Sequence, residues 1–191
     1  MKKQIVTALL YTAITAVVLG VLYPLAVTGM ARVLFPKQAS GQLIERDGVV
    51  VGTHLIGQPF SGPGYFWSRP SAAGTGYDAA NSSGSNLGPT NKDLATRVAA
   101  TVATLDPNGA GGVPIDLATA SGSGLDPDIS PAAAFYQVGR VAAERRVSED
   151  AVRGLVSAHV TQRQFGLLGE PRVNVLELNL DLDRMTRNAS K

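Results

Sequence analysis

Residues 4 to 31, between Lys3 and Arg32, form a run of 28 positions without one charge. A bilayer's hydrocarbon core is about 30 Å thick and takes roughly 20 apolar residues of helix to cross. The run suffices, with length to spare for tilt. No second stretch of the chain resembles it, and one helix cannot enclose a pore. Such a chain acts at a membrane as an anchored domain or as a subunit of something larger. We expect an anchor over residues 1–35, spanning at about 5–29, and an extracytoplasmic globular domain over 36–191.

The charged start, Lys2-Lys3, also suits a secretion signal. However, the apolar stretch exceeds the usual 7–15 residues, and no small-x-small cleavage site follows Tyr23-Pro24. An uncleaved signal anchor fits better. Lys2 and Lys3 at one end nearly balance Arg32 and Lys37 at the other. A short N-terminus is easily retained, so the expected arrangement is N-terminus inside and bulk outside. Within the span Ala8, Thr12, Ala16 and Gly20 recur every fourth position, and Pro24 continues the row. Small side chains on one face let a second helix approach closely. These four residues are the expected helix-packing face.

Seventeen basic residues against 15 acidic ones give a net charge of only +2, and the arginines are scattered, so nucleic acid is not indicated. The absence of cysteine excludes a disulfide framework, a thiol nucleophile and a cysteine-based zinc site. Asp47-Gly48, between Leu43-Ile44 and Val49-Val50-Val51, predicts a hairpin. Residues 57–91 have loop composition, yet they hold Phe60, Tyr65, Phe66, Trp67 and Tyr77, five of the eleven aromatics. Flexible linkers bury nothing and are poor in aromatics. An ordered, packed loop is therefore expected here, either covering the core or carrying function.

Beyond it, Leu94, Val98, Val102 and Leu105 make a helical stripe after Thr90 or Asn91 as cap, stopped by Asp106-Pro107-Asn108-Gly109. We expect a strand at Val113–Ala118, a helix opened by Ser130-Pro131 and running to about Arg146, and another opened by Ser148-Glu149-Asp150. Val173–Leu178 reads as a strand, with Asn179 capping a terminal helix or the strand continuing through Leu180 and Leu182. The fold class is α+β, without the regular alternation of a doubly wound sheet.

Catalytic patterns are missing. There is no phosphate loop, no H-E-x-x-H, no G-x-S-x-G and no S-x-x-K. No catalytic residue and no metal ligand is assigned. Two glycine-bearing segments stand out: Gly84-Ser85-Asn86-Leu87-Gly88-Pro89-Thr90-Asn91 and Ser121-Gly122-Ser123-Gly124-Leu125-Asp126-Pro127. Their amides and hydroxyls suit an anion or a facing carbonyl, and turn chemistry calls for the same residue types.

Several motifs then match a known family in order: Tyr23-Pro24-Leu25, Leu55-Ile56-Gly57-Gln58, Tyr65-Phe66-x-x-Arg69-Pro70-Ser71, Gly84-Ser85-Asn86-Leu87, Ala120 to Pro127, and Val173 to Asn179. The chain resembles the C subunit of bacterial Kdp potassium-transporting ATPases over nearly its whole length. One departure is Asp128, where family members carry other polar residues, often His.

The resemblance implies an accessory subunit of an ATP-driven potassium importer in the inner membrane. Its partners would be a channel-like subunit and a P-type ATPase subunit, whose ATP affinity it would raise as a catalytic chaperone while aiding assembly. It also implies partner-facing loops, for which Tyr65, Phe66, Arg69, Ser85, Asn86, Ser121, Ser123 and Asp126 are the candidates. No covalent cofactor is expected, and ATP is reached only through the complex. If this chain touches nucleotide, the polar run Gln162-Arg163-Gln164 is the place. Two alternatives remain open: an anchored extracytoplasmic hydrolase using a serine with His54 or His159, and a solute-binding module with the Phe60–Tyr77 loop as its pocket.

Overall fold

A computed structural model describes residues 1–46, 48–109 and 111–189, the side chains of 188 and 189 excepted. The chain divides into two units, Met1–Val51 and Gly52–Lys191. The first unit takes in the stretch from residue 36 to Val51 together with the helical segment.

The first unit opens with 33 continuous helical residues, Lys2–Leu34, about 50 Å at 1.5 Å per residue. Helix α1 covers Lys2–Val17 and α2 Tyr23–Leu34; a π turn, Val18–Leu22, joins them. There the Tyr23 amide donates to the Val18 carbonyl, five residues back. Pro24, at the start of α2, has no amide to give the carbonyl four residues before it, and a widened turn is one way a helix absorbs that loss. The extra residue alters the expected row of small side chains. Ala8, Thr12 and Ala16 stay on the regular α1 face, whereas Gly20 lies inside the wide turn and Pro24 beyond it. None of these helical residues is buried.

A single turn, α3 (Pro36–Ala39), leads to β1 (Leu43–Arg46) and β2 (Val49–Thr53), which pair as a two-stranded sheet. This is the expected hairpin. Gly48 has φ +77°, as its turn requires, while Asp47 lies outside the described residues.

In the second unit a three-stranded antiparallel sheet runs β3 (Asp128–Ile129), β5 (Arg172–Asn174), β4 (Val160–Thr161), with Ile129 and Val160 both opposite Val173. Helices α6 (Pro131–Tyr136), α7 (Val138–Arg145), α8 (Glu149–Ala158) and α9 (Val175–Ala189) enclose the core. Its members include Phe66, Leu117, Ile129, Val138, Val141, Val152, Val156, Val173, Leu178 and Leu182. Burying each large aliphatic chain is worth about 1.5–3 kcal/mol.

The caps follow the sequence. Asn91 accepts the Asp93 amide and opens α4 (Lys92–Leu105), Ser130 accepts the Ala133 amide, and Ser148 accepts the Ala151 amide.

Three expectations fail. Val113–Ala118 is not a strand: Pro114 instead starts one helical turn, α5 (Ile115–Ala118), and puts Leu117 into the core. The helix from Ser130 is broken at Gln137, whose side chain bonds elsewhere, as described below. Strand β5 ends at Asn174, not Leu178. Asn174 takes the capping role expected of Asn179 by accepting the Glu177 amide at 3.1 Å, so α9 begins five residues earlier, at Val175, and Asn179 is turned inward.

Candidate functional site

The aromatic loop is packed, and it is held mainly through its backbone. Asn179 of α9 accepts the Phe66 amide at 2.8 Å and donates to the Phe66 carbonyl at 2.9 Å. Gln137, at the α6–α7 break, accepts the Trp67 amide at 2.8 Å and donates to the Trp67 carbonyl at 3.1 Å. Two buried amide side chains thus bond two consecutive residues as a neighbouring strand would. A buried polar group without a partner costs about 1–3 kcal/mol; here each amide satisfies the other's groups.

Arginines of α7 complete the clasp. Arg140 donates to the carbonyls of Pro63 and Tyr65 and to Gln137, and lies 3.8 Å over the Trp67 ring. Burial pushes its guanidinium down to about 10, still fully charged near neutrality. Arg145 donates to the Gly64 carbonyl at 2.7 Å, pairs with Asp183 at 2.9 Å and stacks 4.4 Å from the Tyr65 ring. Tyr65 is accordingly half-buried. Phe66 is completely buried, so its side chain belongs to the core.

The two glycine-bearing segments meet where a Cβ on Gly84 would lie 2.9 Å from the Gly122 carbonyl oxygen, and neighbouring residues bond the second segment further. Ser82 donates to the Ser123 carbonyl and Ser71 to the Gly124 carbonyl, while the Gly57 amide donates to the Leu125 carbonyl. A Cβ on Gly124, at φ +67°, would lie 2.5 Å from the Ser83 carbonyl oxygen; one on Gly57 would lie 2.4 Å from that of Asp126. Glycine is required because backbones meet there. Ser121 is 4 % exposed, so its side chain too lies within the fold. Ser123 and Asn86 remain at the surface.

Arg69 and Asp126 pair at 3.1 Å, and Arg69 also reaches the Ala120 carbonyl at 3.4 Å. They line an open cleft of about 480 Å³ with Ile115, Asp116, Asp128 and Arg172. Arg172 pairs with Asp128 at 3.0 Å. Burial, reinforced by Asp126, raises the Asp128 carboxyl above its usual range, although Arg172 pulls the other way. Ser85 lies in a different groove of about 560 Å³, between Pro70–Gly76, α4 and Ala118–Ala120. Among the described residues no group of three or more acidic, histidine or cysteine side chains is placed to hold a metal.

The structure therefore gathers Arg69 and Asp126 at one cleft, Ser85 at another, and Tyr65 under the α7 arginines. Gln162, Arg163 and Gln164 stand apart on an exposed hairpin, where Arg163 spends its charge on Glu170 at 2.5 Å. Gln137, Asn179, Arg140 and Arg145 were missed. Their one signal is a polar residue set within an apolar helical face.

The alternative chemistries gain little from this geometry. His159 directs Nδ1 at the Leu155 carbonyl and Nε2 at Asp181, at 3.0 and 3.2 Å, so neither ring nitrogen is left to take a serine proton. His54 Nδ1 bonds Glu177. Within the Phe60–Tyr77 loop, the aromatics Phe60 and Trp67 line an open groove of about 260 Å³, small beside usual ligand cavities, while Pro70–Gly76 borders the 560 Å³ groove, which no aromatic side chain lines.

Comparison with known proteins adds a lineage. A family model described as "KdpC: K+-transporting ATPase, c chain" matches residues 5–184. Two relatives are similar along nearly their full length. The potassium-transporting ATPase KdpC subunit of Koribacter versatilis is 56% identical, over 96% of this chain and 95% of the relative. The protein of the same name from Acidobacterium capsulatum is 60% identical, over 94% and 97%.

Proposed function

The chain belongs to the KdpC family of potassium-transporting ATPase subunits, and from that membership we propose that it works as a non-catalytic accessory subunit. Its helix anchors it in the inner membrane, N-terminus inside, and its loop-rich unit lies outside. It packs against the channel-like subunit, supports assembly and raises the ATP affinity of the P-type subunit. With the folded unit outside, cytoplasmic ATP is beyond its reach. Its effect on hydrolysis then travels as a coupling free energy through the helix or the channel-like subunit. Gln162, Arg163 and Gln164 have no nucleotide to meet in that arrangement.

One observation carries the reading: a continuous helix of 33 residues, uncharged from position 4 to 31, buries nothing within its own chain. The natural partner of such a helix is lipid on one face and another helix on the face of small residues. A Cβ at Gly20 meets nothing within 4 Å, so a larger residue there disturbs only what lies outside this chain. Gly20→Leu and Ala16→Leu are expected to strip most of the other Kdp subunits from the chain when it is purified in mild detergent. Undiminished recovery with both variants would refute the packing face.

A further inference from the structure

Residues 162–170 form a tight hairpin whose tip is apolar and turned to solvent. Phe165 is 93% exposed, Leu167 80% and Leu168 60%. The tip is well formed. Gln164 and Leu168 exchange both backbone hydrogen bonds at 2.9 Å, the Leu167 amide also donates to Gln164, and the Arg163–Glu170 pair closes the base without net charge. Phe165 has φ +53°, a left-handed conformation that is an outlier for a bulky residue. The fold thus accepts backbone strain to display a phenylalanine that contacts almost nothing.

We propose that this hairpin is a membrane-contact loop, with Phe165, Leu167 and Leu168 entering the interfacial layer of the bilayer that holds the anchor. The inference rests on reading Lys2–Leu34 as a span. Three observations favour lipid over protein. A tip of three side chains falls far short of the roughly 800 Å² that each partner buries in a stable protein interface. Phe and Leu, with polar Gln162 and Gln164 behind them, match the apolar-then-polar depth profile of interfacial segments. Finally, the connection from Leu34 to Gly52 cannot exceed about 60 Å even fully extended, and α3 and the β1–β2 hairpin shorten it. A tether of that length turns weak insertion into an intramolecular event at an effective concentration on the order of millimolar.

The cysteine-free chain makes the test clean. Leu167→Cys, Ile14→Cys and Ser157→Cys are each labelled with a polarity-sensitive fluorophore on the full chain, in phosphatidylcholine–phosphatidylglycerol nanodiscs with or without brominated acyl chains. A membrane-contact loop gives a blue shift and bromolipid quenching at position 167, as expected of a side chain in the interfacial layer, with a stronger quench at 14 and none at 157. Quenching at 14 with a water-exposed label at 167 would overturn the loop and spare the anchor. Absence of quenching at 14 would remove the anchor, and the proposal with it. A label at 167 that is shielded only when the other Kdp subunits are present, without bromolipid quenching, would assign the tip to a protein and also overturn it.

Discussion

Helices α4 and α9 both carry an apolar stripe, and the fold uses them in opposite ways. In α9, Val175, Leu176, Leu178, Asn179 and Leu182 are buried, and the helix binds the aromatic loop and receives His54, His159 and Arg145 on its carboxylates. In α4, Leu94, Val98, Val102 and Leu105 are only half-covered and no residue is buried; its flank borders the 560 Å³ groove. A stripe is only a capacity to pack. What separates these helices is the number of long-range polar contacts: α9 turns Glu177, Asn179, Asp181 and Asp183 to distant partners, whereas α4 receives the Tyr136 hydroxyl on the carbonyl of its last residue, Leu105.

Truncation should expose that contrast most sharply. Leu182→Ala is expected to destabilise the second unit by about 2–5 kcal/mol, whereas Val98→Ala should cost under about 1 kcal/mol. Thermal unfolding followed by the lone tryptophan, Trp67, measures both on the full chain in detergent; comparable losses would erase the distinction. Asn179→Ala comes next, at about 2–4 kcal/mol, since it strands both backbone groups of Phe66. Its signature is early loss of the Trp67 signal, and an unchanged melting curve would show that the clasp does not matter.

The smallest effect concerns Asp128, outside both helices. Burial raises its carboxyl, so the folded chain holds that proton more tightly than the unfolded chain. Stability should therefore fall as pH climbs from about 3.9 through the raised value and stay lower above it. Asp128→Asn should flatten that slope in melts across the acid range. A steeper slope in the variant would reverse the sign we assign.

Local chemistry was readable in advance. Asn91, Ser130 and Ser148 cap where their side chains say they should, and the aromatics of 57–91 marked a packed loop. Misreadings arose where tertiary contacts override period. Leu176, Leu178, Leu180 and Leu182 alternate as a strand would, yet Asn174 caps a helix there and Asn179 finds its partners 113 positions away at Phe66. Val113–Ala118 looks extended by composition, but Pro114 starts a turn that delivers Leu117 to the core. Of the candidate site residues, Arg69 and Asp126 meet across 57 positions, a pairing no local pattern announces. Phe66 and Ser121 proved to be interior because a motif reveals residue type and order, not the direction in which each side chain turns.

Gln137 and Asn179 grip main-chain atoms and ignore what hangs from them. A strap fastened that way stays put while its outward ornament is exchanged, so the face around position 67 can be retailored to suit a changed neighbour without reworking the buckle beneath.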